Sequence, residues 1–276
     1  MSISVTIQTL KRSSLLATLP APALHQIAQE TEERAYRRRQ IIYFSEQKND
    51  YIFFLVSGRV KLLRVGASGR EVTLDIVSPG ELFGEANIFD TNSPYGSSAE
   101  VLEDSIVYAM RRTSIIGAMA GNMDALREFA SLQVQRRHAA EQRLAEFVFY
   151  DVPTRLAHLL AQLSSFYGKG GAKEGVLIKA KLTHQELANL VGSTRETTTL
   201  ILNDFKRRGL IAFQGRKIIA LQTDALAQFD SHSEPRAATS SRAAADDDDD
   251  EDEVDTDHAA PVRRGRGRPR SVTTTV

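Results

Sequence analysis

Arg195 and Glu196 are neighbouring side chains whose chemistry suits the recognition of a base pair. Arginine can donate two hydrogen bonds to O6 and N7 of guanine, and glutamate can accept one from N4 of cytosine. Hydroxyl groups at the start of a helix can also reach a phosphate, because free amide groups and the helix dipole favour an anion there. We therefore expect Ser193, Thr194, Arg195, Glu196 and Thr199 to contact DNA.

The residues before this pair predict a helix that ends in a tight turn. Thr183 followed by Glu186 is the pattern of a capping box, which satisfies free amide groups at a helix start. Leu187 and Val191 lie on one face of such a helix. Gly192 can then adopt the positive φ that a tight turn requires.

A second helix is expected to follow this turn, with Ser193 or Thr194 as its cap. Its inward face would carry Thr198, Ile201, Leu202 and Phe205. Arg195 and Glu196 would then lie at its exposed N-terminal end. A recognition helix in the major groove carries its base-reading side chains at that end.

Basic residues and a hairpin pattern follow the second helix. The run from 211 to 221 is rich in apolar residues and is interrupted by Gln214-Gly215-Arg216, which predicts a two-stranded wing. We expect Lys206, at the end of the helix, and Arg216 and Lys217, at the tip of the wing, to contact the phosphate backbone.

The C-terminal segment 231–276 differs from the rest in composition. It has few large apolar side chains, which predicts disorder because such a segment cannot bury a core. Its Arg-Gly-Arg-Pro core is similar to an AT-hook, a thin segment whose arginines, here Arg266 and Arg268, enter the narrow minor groove of A·T-rich DNA. The acidic run 246–257 either competes for basic groups or acts as a solvating spacer.

Composition excludes several classes of protein. The chain has 276 residues, no Cys and six His, and the pattern places none of these His in a predicted strand. Thiolate metal sites, iron–sulfur clusters and cysteine nucleophiles are therefore excluded, and we expect no bound metal and no enzyme activity. No signal peptide or membrane span is evident, so we expect a cytoplasmic protein without a membrane partner.

The net charge of zero conceals an uneven distribution. Residues 231–276 hold eleven of the 35 acidic side chains but seven of the 35 basic ones. Residues 1–230 therefore carry a net charge of +4. A mildly basic folded part is compatible with a nucleic-acid partner.

The pattern along the chain predicts an α+β protein. A helical lead at about 8–30 precedes short strands at 40–44, 51–56, 59–65, 71–77 and 105–110, separated by turns such as Ser57-Gly58. Such spacing indicates an antiparallel barrel or sandwich. We expect a β-barrel domain at 1–121, a long helix at 122–150, a winged helix–turn–helix domain at 151–230 and a disordered tail at 231–276.

The long helix is a candidate dimer interface. Apolar residues recur along it from Leu126 to Val148, with polar residues between them. An exposed apolar stripe would build a two-fold dimer, which suits a protein that reads paired half-sites. The alternative is that this stripe packs on its own barrel.

A short-strand barrel, a long helix and a winged helix–turn–helix, in this order, resemble the Crp–Fnr family of transcription regulators. The resemblance covers about residues 10–225. It is carried by the four segments 57–62, 69–72, 79–85 and 191–197, together with Asp151-Val152 and Arg155. The resemblance implies a jelly-roll barrel of the cyclic-nucleotide-binding type, a homodimer and contact with RNA polymerase. It also implies that Arg195 and Glu196 read bases, whereas Leu200 replaces a third base-reading Arg.

The ligand segment departs from the family. Cyclic AMP binders of the family use Gly-Glu for the ribose and close the segment with Arg-Ser for the phosphate. Gly84-Glu85 are present here, but Ser97-Ser98 close the segment, so the cation that a phosphate requires is missing. This argues against cyclic AMP. A cyclic dinucleotide or a metabolite bound by Arg136, Arg137 or Arg143 and an empty pocket both remain open.

Three functions are compatible with these patterns. The first is a homodimeric regulator that reads a palindromic site. Its partners would be double-stranded DNA and RNA polymerase. The second is an architectural protein that uses the tail on A·T-rich DNA. The third is a nucleotide-binding module that has lost DNA recognition, against which the Arg195-Glu196 pair argues.

Overall fold

The computed structural model describes residues 2–90, 92–169, 175–178, 182–215 and 217–231. Outside these ranges lie Arg216 and the expected tail from residue 232 onward, which contains Arg266 and Arg268. The described residues all belong to one unit, Met1–Pro235. Within them, every helix is too short or too polar to cross a bilayer.

The helical lead consists of α1 (Ile3–Leu10), α2 (Ser14–Ala17) and α3 (Ala21–Glu30). The hydroxyl of Ser13 caps α2 by accepting from the amide of Leu16, and Pro20 precedes α3. Leu10, Leu16 and Ile27 are buried in one core with residues of the sheet. The lead therefore covers one face of the N-terminal sheet.

The N-terminal sheet is antiparallel, as predicted. It contains β1 (Glu32–Tyr36), β2 (Ile41–Tyr43), β3 (Tyr51–Val65), β4 (Glu71–Val77), β5 (Leu82–Phe83) and β6 (Ser98–Arg111) in the order β1-β6-β3-β4, with β2 on β6 and β5 on β3. Successive side chains of a strand point to opposite faces. Ile52 and Phe54 therefore enter the core under the helices, whereas Phe53 and Leu55 enter a second core on the other face.

The predicted turn at Ser57-Gly58 is wrong. These residues lie inside the continuous strand β3, where the pairing with β6 shifts register between Leu55 and Ser57 and again between Ser57 and Arg59. Gly58 has φ +89°, and a Cβ there would lie 2.2 Å from Oγ of Ser105. The glycine thus serves a bulge that lets two long strands bend together.

Two further helices connect the sheet to the C-terminal part. After α4 (Arg112–Met119), the long helix α5 spans Met123–Phe149, which confirms the predicted helix. Asn122 caps α5, and Asp151 caps α6 (Val152–Tyr167) by accepting from the amide of Thr154. Each such cap stabilises a helix by about 1 kcal/mol.

The C-terminal part is a winged helix–turn–helix, as predicted. It contains β7 (Gly168–Lys169), β8 (Val176–Ile178), α7 (His184–Val191), α8 (Arg195–Arg207), β9 (Ile211–Gln214), β10 (Lys217–Ala220) and α9 (Thr223–Ala227). The strands form a sheet in the order β7-β8-β10-β9. Leu156 and Leu160 of α6 pack with both helices of the motif in one core.

Candidate nucleic-acid interface

Two caps and one glycine fix the turn between α7 and α8. The hydroxyl of Thr183 accepts from the amide of Glu186 at 3.2 Å, and the Glu186 carboxylate accepts from the amide of Thr183, which completes the predicted capping box. Gly192 ends α7 with φ +65°. Thr194 caps α8 by accepting from the amide of Thr197 at 3.2 Å.

The inward face of α8 orients its outward face. Thr198, Leu202 and Phe205 are fully buried against α6 and α7. Arg195 and Glu196 lie in the first turn of the helix, before this packed stretch begins, and both are exposed. The packing of α8 thus presents the two predicted base-reading side chains to solvent.

The other predicted contact residues lie around this face. Thr194 and Lys206 are exposed at the two ends of α8, Ser193 is half-buried, and Lys217 is exposed at the start of β10. Residues 211–214 and 217–220 pair antiparallel, which forms the predicted wing. The described side chains thus occupy the start of α8, its end and one strand of the wing.

Thr199 is held by a partner that the sequence analysis missed. Its hydroxyl donates to the carbonyl of Arg195 at 2.8 Å and lies 2.9 Å from Nδ1 of His184. Burial, with a smaller contribution from Arg195, lowers the pKa of His184 below its ordinary value. A neutral imidazole with its proton on Nδ1 would therefore donate a hydrogen bond to the Thr199 hydroxyl and stabilise the first turns of α8.

Phe147 packs against the turn of the motif. Its ring lies under the guanidinium of Arg155, at 4.7 Å, and Arg155 donates to the carbonyls of Val191 and Tyr150 at 3.1 and 2.6 Å. A Cβ at Gly192 would lie 2.5 Å from Cε1 of Phe147. The end of α5 therefore positions the start of the recognition helix.

Gly192→Ala is expected to destabilise the C-terminal part. The left-handed backbone costs roughly 1–3 kcal/mol for a residue with a Cβ, and the new methyl group meets Phe147. Native-state hydrogen exchange of the full chain would measure the loss in α7 and α8. Gly117→Ala in α4 is the matched control, because a Cβ there meets nothing within 4 Å. Unchanged protection of α7 and α8 in G192A would contradict this account of the turn.

Contacts between α7 and the N-terminal sheet were also missed. Arg38 forms an ion pair with Glu186 at 3.1 Å, and Nδ2 of Asn189 donates to Glu71 at 3.0 Å. Glu71 also pairs with Lys61, which is 5% exposed. Arg38 and Glu186, and likewise Glu71 and Asn189, are more than a hundred residues apart in sequence, so no local pattern indicates these contacts. They connect the sheet directly to the motif.

The predicted ligand residues separate into two groups. Glu85 is 1% exposed and forms an ion pair with Arg136 of α5, which also donates to the carbonyl of Leu82. Gly84 precedes Glu85, and Ser97 hydrogen-bonds to Tyr43, which interacts with Glu85. Gly84, Glu85, Ser97 and Arg136 are thus brought together at one end of the sheet.

The remaining ligand candidates have other partners. The hydroxyl of Ser98 accepts from the amide of Ser45 at 3.0 Å. Arg143 pairs with Asp75 of β4 at 3.6 Å. Arg137 pairs with Glu141 at 3.6 Å on the exposed side of α5. These three side chains are therefore engaged away from Glu85.

Glu85 itself has unused hydrogen-bonding capacity. Among the described residues, its Oε2 atom is buried and has no hydrogen-bond partner. Burial raises the pKa of Glu85, and Arg136 opposes that shift. Such a carboxyl group can accept from, or donate to, a hydroxyl of a bound ligand.

Tyr43 and Tyr95 are two aromatic residues near Gly84 and Glu85 that the sequence analysis missed. Their rings stack with centroids 3.8 Å apart, and both are buried with Phe53 and Phe83. Tyr95 lies two residues before Ser97, and its hydroxyl donates to the carbonyl of Tyr51 at 2.9 Å. An aromatic wall therefore lies beside Gly84, where a Cβ would be 3.1 Å from the Tyr95 ring.

Comparisons with known proteins match both parts of the chain. Residues 33–122 match the model of a cyclic nucleotide-binding domain, and residues 154–229 match that of a Crp-like helix-turn-helix domain. The chain is 29% identical over 223 residues to the CRP-like cAMP-activated global transcriptional regulator of Mycobacterium tuberculosis, covering 80% of this chain and 98% of that protein.

Two further proteins are similar. Identity to the cyclic AMP receptor protein of Thermus thermophilus is 27% over 180 residues, covering 65% of this chain and 79% of that protein. The structure of FixK2 from Bradyrhizobium japonicum superposes with a TM-score of 0.65 at 20% identity, covering 73% of this chain and 98% of that one. At that identity the superposition supports the fold alone.

Proposed function

This chain belongs to the Crp–Fnr family of transcription regulators, and on that premise we propose that it acts in the cytoplasm as a homodimer on a palindromic DNA site. Residues 1–121 would form the sensing part, 122–150 the dimerisation helix and 151–230 the DNA-binding part. Its relatives are transcription regulators and not enzymes. Contact with RNA polymerase, expected for the family, is part of the proposal.

The outward face of α8 is the observation that carries this function. Arg195 and Glu196 are exposed in its first turn, while Thr198 and Leu202 hold the helix in the core. The dipole and free amides of that helix end favour phosphate, and the side chains can pair with a G·C step. This combination supports sequence-specific entry into the major groove.

The exposed seam of α5 supports the dimer. Ala130, Val134, Leu144 and Val148 recur at heptad spacing on the exposed side of the helix, with Arg137 and Glu141 between them. Leu144 and Val148 are 66% and 69% exposed, and with Ala130 and Val134 they form an exposed apolar row of the kind that marks an interaction site. A second copy of α5 would cover this seam in the manner of a coiled coil.

In vitro selection from random duplexes with the full chain would test the proposed function. The expected result is an inverted repeat whose half-sites lie about one helical turn, or 10–10.5 base pairs, apart. Selection of sequences without a repeat, or of A·T-rich DNA in general, would contradict it.

We further propose that cyclic AMP is not the effector. The relative from Mycobacterium tuberculosis is named as cAMP-activated, but here Ser97 and Ser98 stand where the family's phosphate-binding Arg-Ser pair would lie, and Tyr95 fills adjacent space. The unpaired Oε2 of Glu85 favours a hydroxyl-bearing ligand, for which a cyclic dinucleotide is one candidate and a small metabolite another. A constitutive regulator with an empty pocket is the remaining alternative.

Cyclic AMP is therefore expected to leave both the melting temperature and the affinity for operator DNA unchanged. Without a fixed cation at position 97, the phosphate would lose its charge-assisted hydrogen bonds. Calorimetric titration with cyclic AMP, cyclic GMP and cyclic di-GMP, each with and without operator DNA, measures whether any of these nucleotides binds. Micromolar binding of cyclic AMP would contradict this proposal.

We propose that the tail adds a second contact. Arg266 and Arg268, which lie outside the described residues, would enter the minor groove beside the site and increase affinity through their high local concentration. Deleting residues 258–276 is expected to weaken binding while the preferred sequence stays the same. Loss of nearly all binding would instead favour the architectural function, which the similarity to known regulators does not favour.

A further inference from the structure

Leu200 is the exposed apolar side chain at the centre of the outward face of α8. It is 71% exposed, whereas Leu202, two residues later, is fully buried. Leu200 follows Glu196 by four residues, so the two side chains lie on the same face one turn apart. No packing role within the described part of the chain accounts for a leucine at this position.

The surroundings of Leu200 indicate that the binding partner of this face is a polyanion and not an apolar protein surface. Leu200 lines a shallow recess with Asn203, Lys206 and Arg207. Asp204 is already paired with Arg207 at 3.0 Å. The apolar group is thus bordered by two cations and an amide, which match phosphates and base edges, and by Glu196 one turn before it, which matches a base-edge donor.

The DNA major groove offers one apolar group to such a side chain. The C5-methyl group of thymine projects there, whereas the other base edges present hydrogen-bond donors and acceptors. Four helical residues advance roughly 6 Å, which corresponds to about two base pairs at 3.4 Å each. Leu200 would therefore lie within two base pairs of the position that Glu196 reads.

We propose that Leu200 recognises the methyl group of a thymine in each half-site. This inference rests on the proposed function, because it requires α8 to enter the major groove. Leu200 then acts as a specificity-determining residue, which selects a T·A pair where an arginine would select G·C.

Single replacement of each half-site thymine by deoxyuridine, which removes only the methyl group, tests this inference. In fluorescence anisotropy with the full chain, we expect one thymine per half-site to be sensitive to this replacement. The affinity should fall about fourfold when one half-site is changed and roughly fifteenfold when both are, the effect of no longer burying one methyl group per half-site. Leu200→Ala should bind more weakly and lose the sensitivity. L200A folds because alanine favours an exposed helix position.

Two further variants sharpen the test. Leu221→Ala truncates another exposed leucine, which follows β10, and should keep the thymine sensitivity of the wild type. Leu200→Arg should change the preferred pair at the sensitive position from T·A to G·C. If an Arg195-dependent site exists but no thymine is sensitive, the inference is overturned. If no Arg195-dependent site exists, the proposed function fails instead.

Discussion

Arg195→Ala is expected to reduce affinity for the selected site by roughly five- to 150-fold for each half-site, the effect of losing one bidentate contact to guanine worth about 1–3 kcal/mol. Arg195 is exposed at the first position of α8, and the helix is held in the core by Thr198 and Leu202. Removing its side chain should therefore change recognition without unfolding the motif. Fluorescence anisotropy at fixed salt, with thermal unfolding in parallel, makes the measurement.

Two controls separate base reading from charge. Arg127→Ala removes another exposed arginine, near the start of α5, and the affinity of this variant should equal that of the wild type. Lys206→Ala should weaken binding to all sequences about equally, because a phosphate contact carries no sequence information. If R195A retains wild-type affinity and wild-type discrimination at the G·C step, the assignment of the recognition helix is wrong.

Leu144→Glu combined with Val148→Glu is expected to give a monomer and to reduce affinity for the full site by about 10²–10⁴-fold, because the second half-site no longer binds intramolecularly. Both side chains are exposed on the seam of α5, where a partner helix would otherwise bury them. Sedimentation velocity and anisotropy on the same preparations measure mass and affinity together.

The matched control for the seam adds the same charge elsewhere on α5. Gln135 and Gln142 are exposed, and the helical period places them away from the seam. Gln135→Glu with Gln142→Glu should therefore leave mass and affinity unchanged. A dimeric L144E/V148E protein with normal DNA binding would exclude the seam as the interface.

Local chemistry made the DNA-binding motif predictable from the sequence. The capping box of Thr183 and Glu186 and the positive φ of Gly192 depend on residues within one helical turn, so their pattern is sufficient. The long helix was predictable for a related reason, since no Gly or Pro interrupts it. Such signals define elements but not their contacts across the chain.

Features that depend on distant residues could not be predicted in this way. The bulge at Gly58 exists because Ser105 approaches it from another strand, so the local sequence indicated a turn instead. The pairs Arg38–Glu186 and Glu71–Asn189 likewise join segments that only the tertiary fold brings together. The ion pair between Arg136 and Glu85 was not predicted either, because the family resemblance pointed only to Glu85 and Arg136 was one of three candidate arginines on the long helix.

The spacing of the two half-sites tests the central claim most directly. Inserting about five base pairs between the half-sites rotates one of them by half a helical turn relative to the other. The two α8 helices of one dimer can then no longer enter the major groove at both half-sites together. The account predicts that affinity falls to that of a single half-site, while a change of spacer sequence at constant length has little effect. Unchanged affinity after the insertion would contradict a dimer that reads paired half-sites.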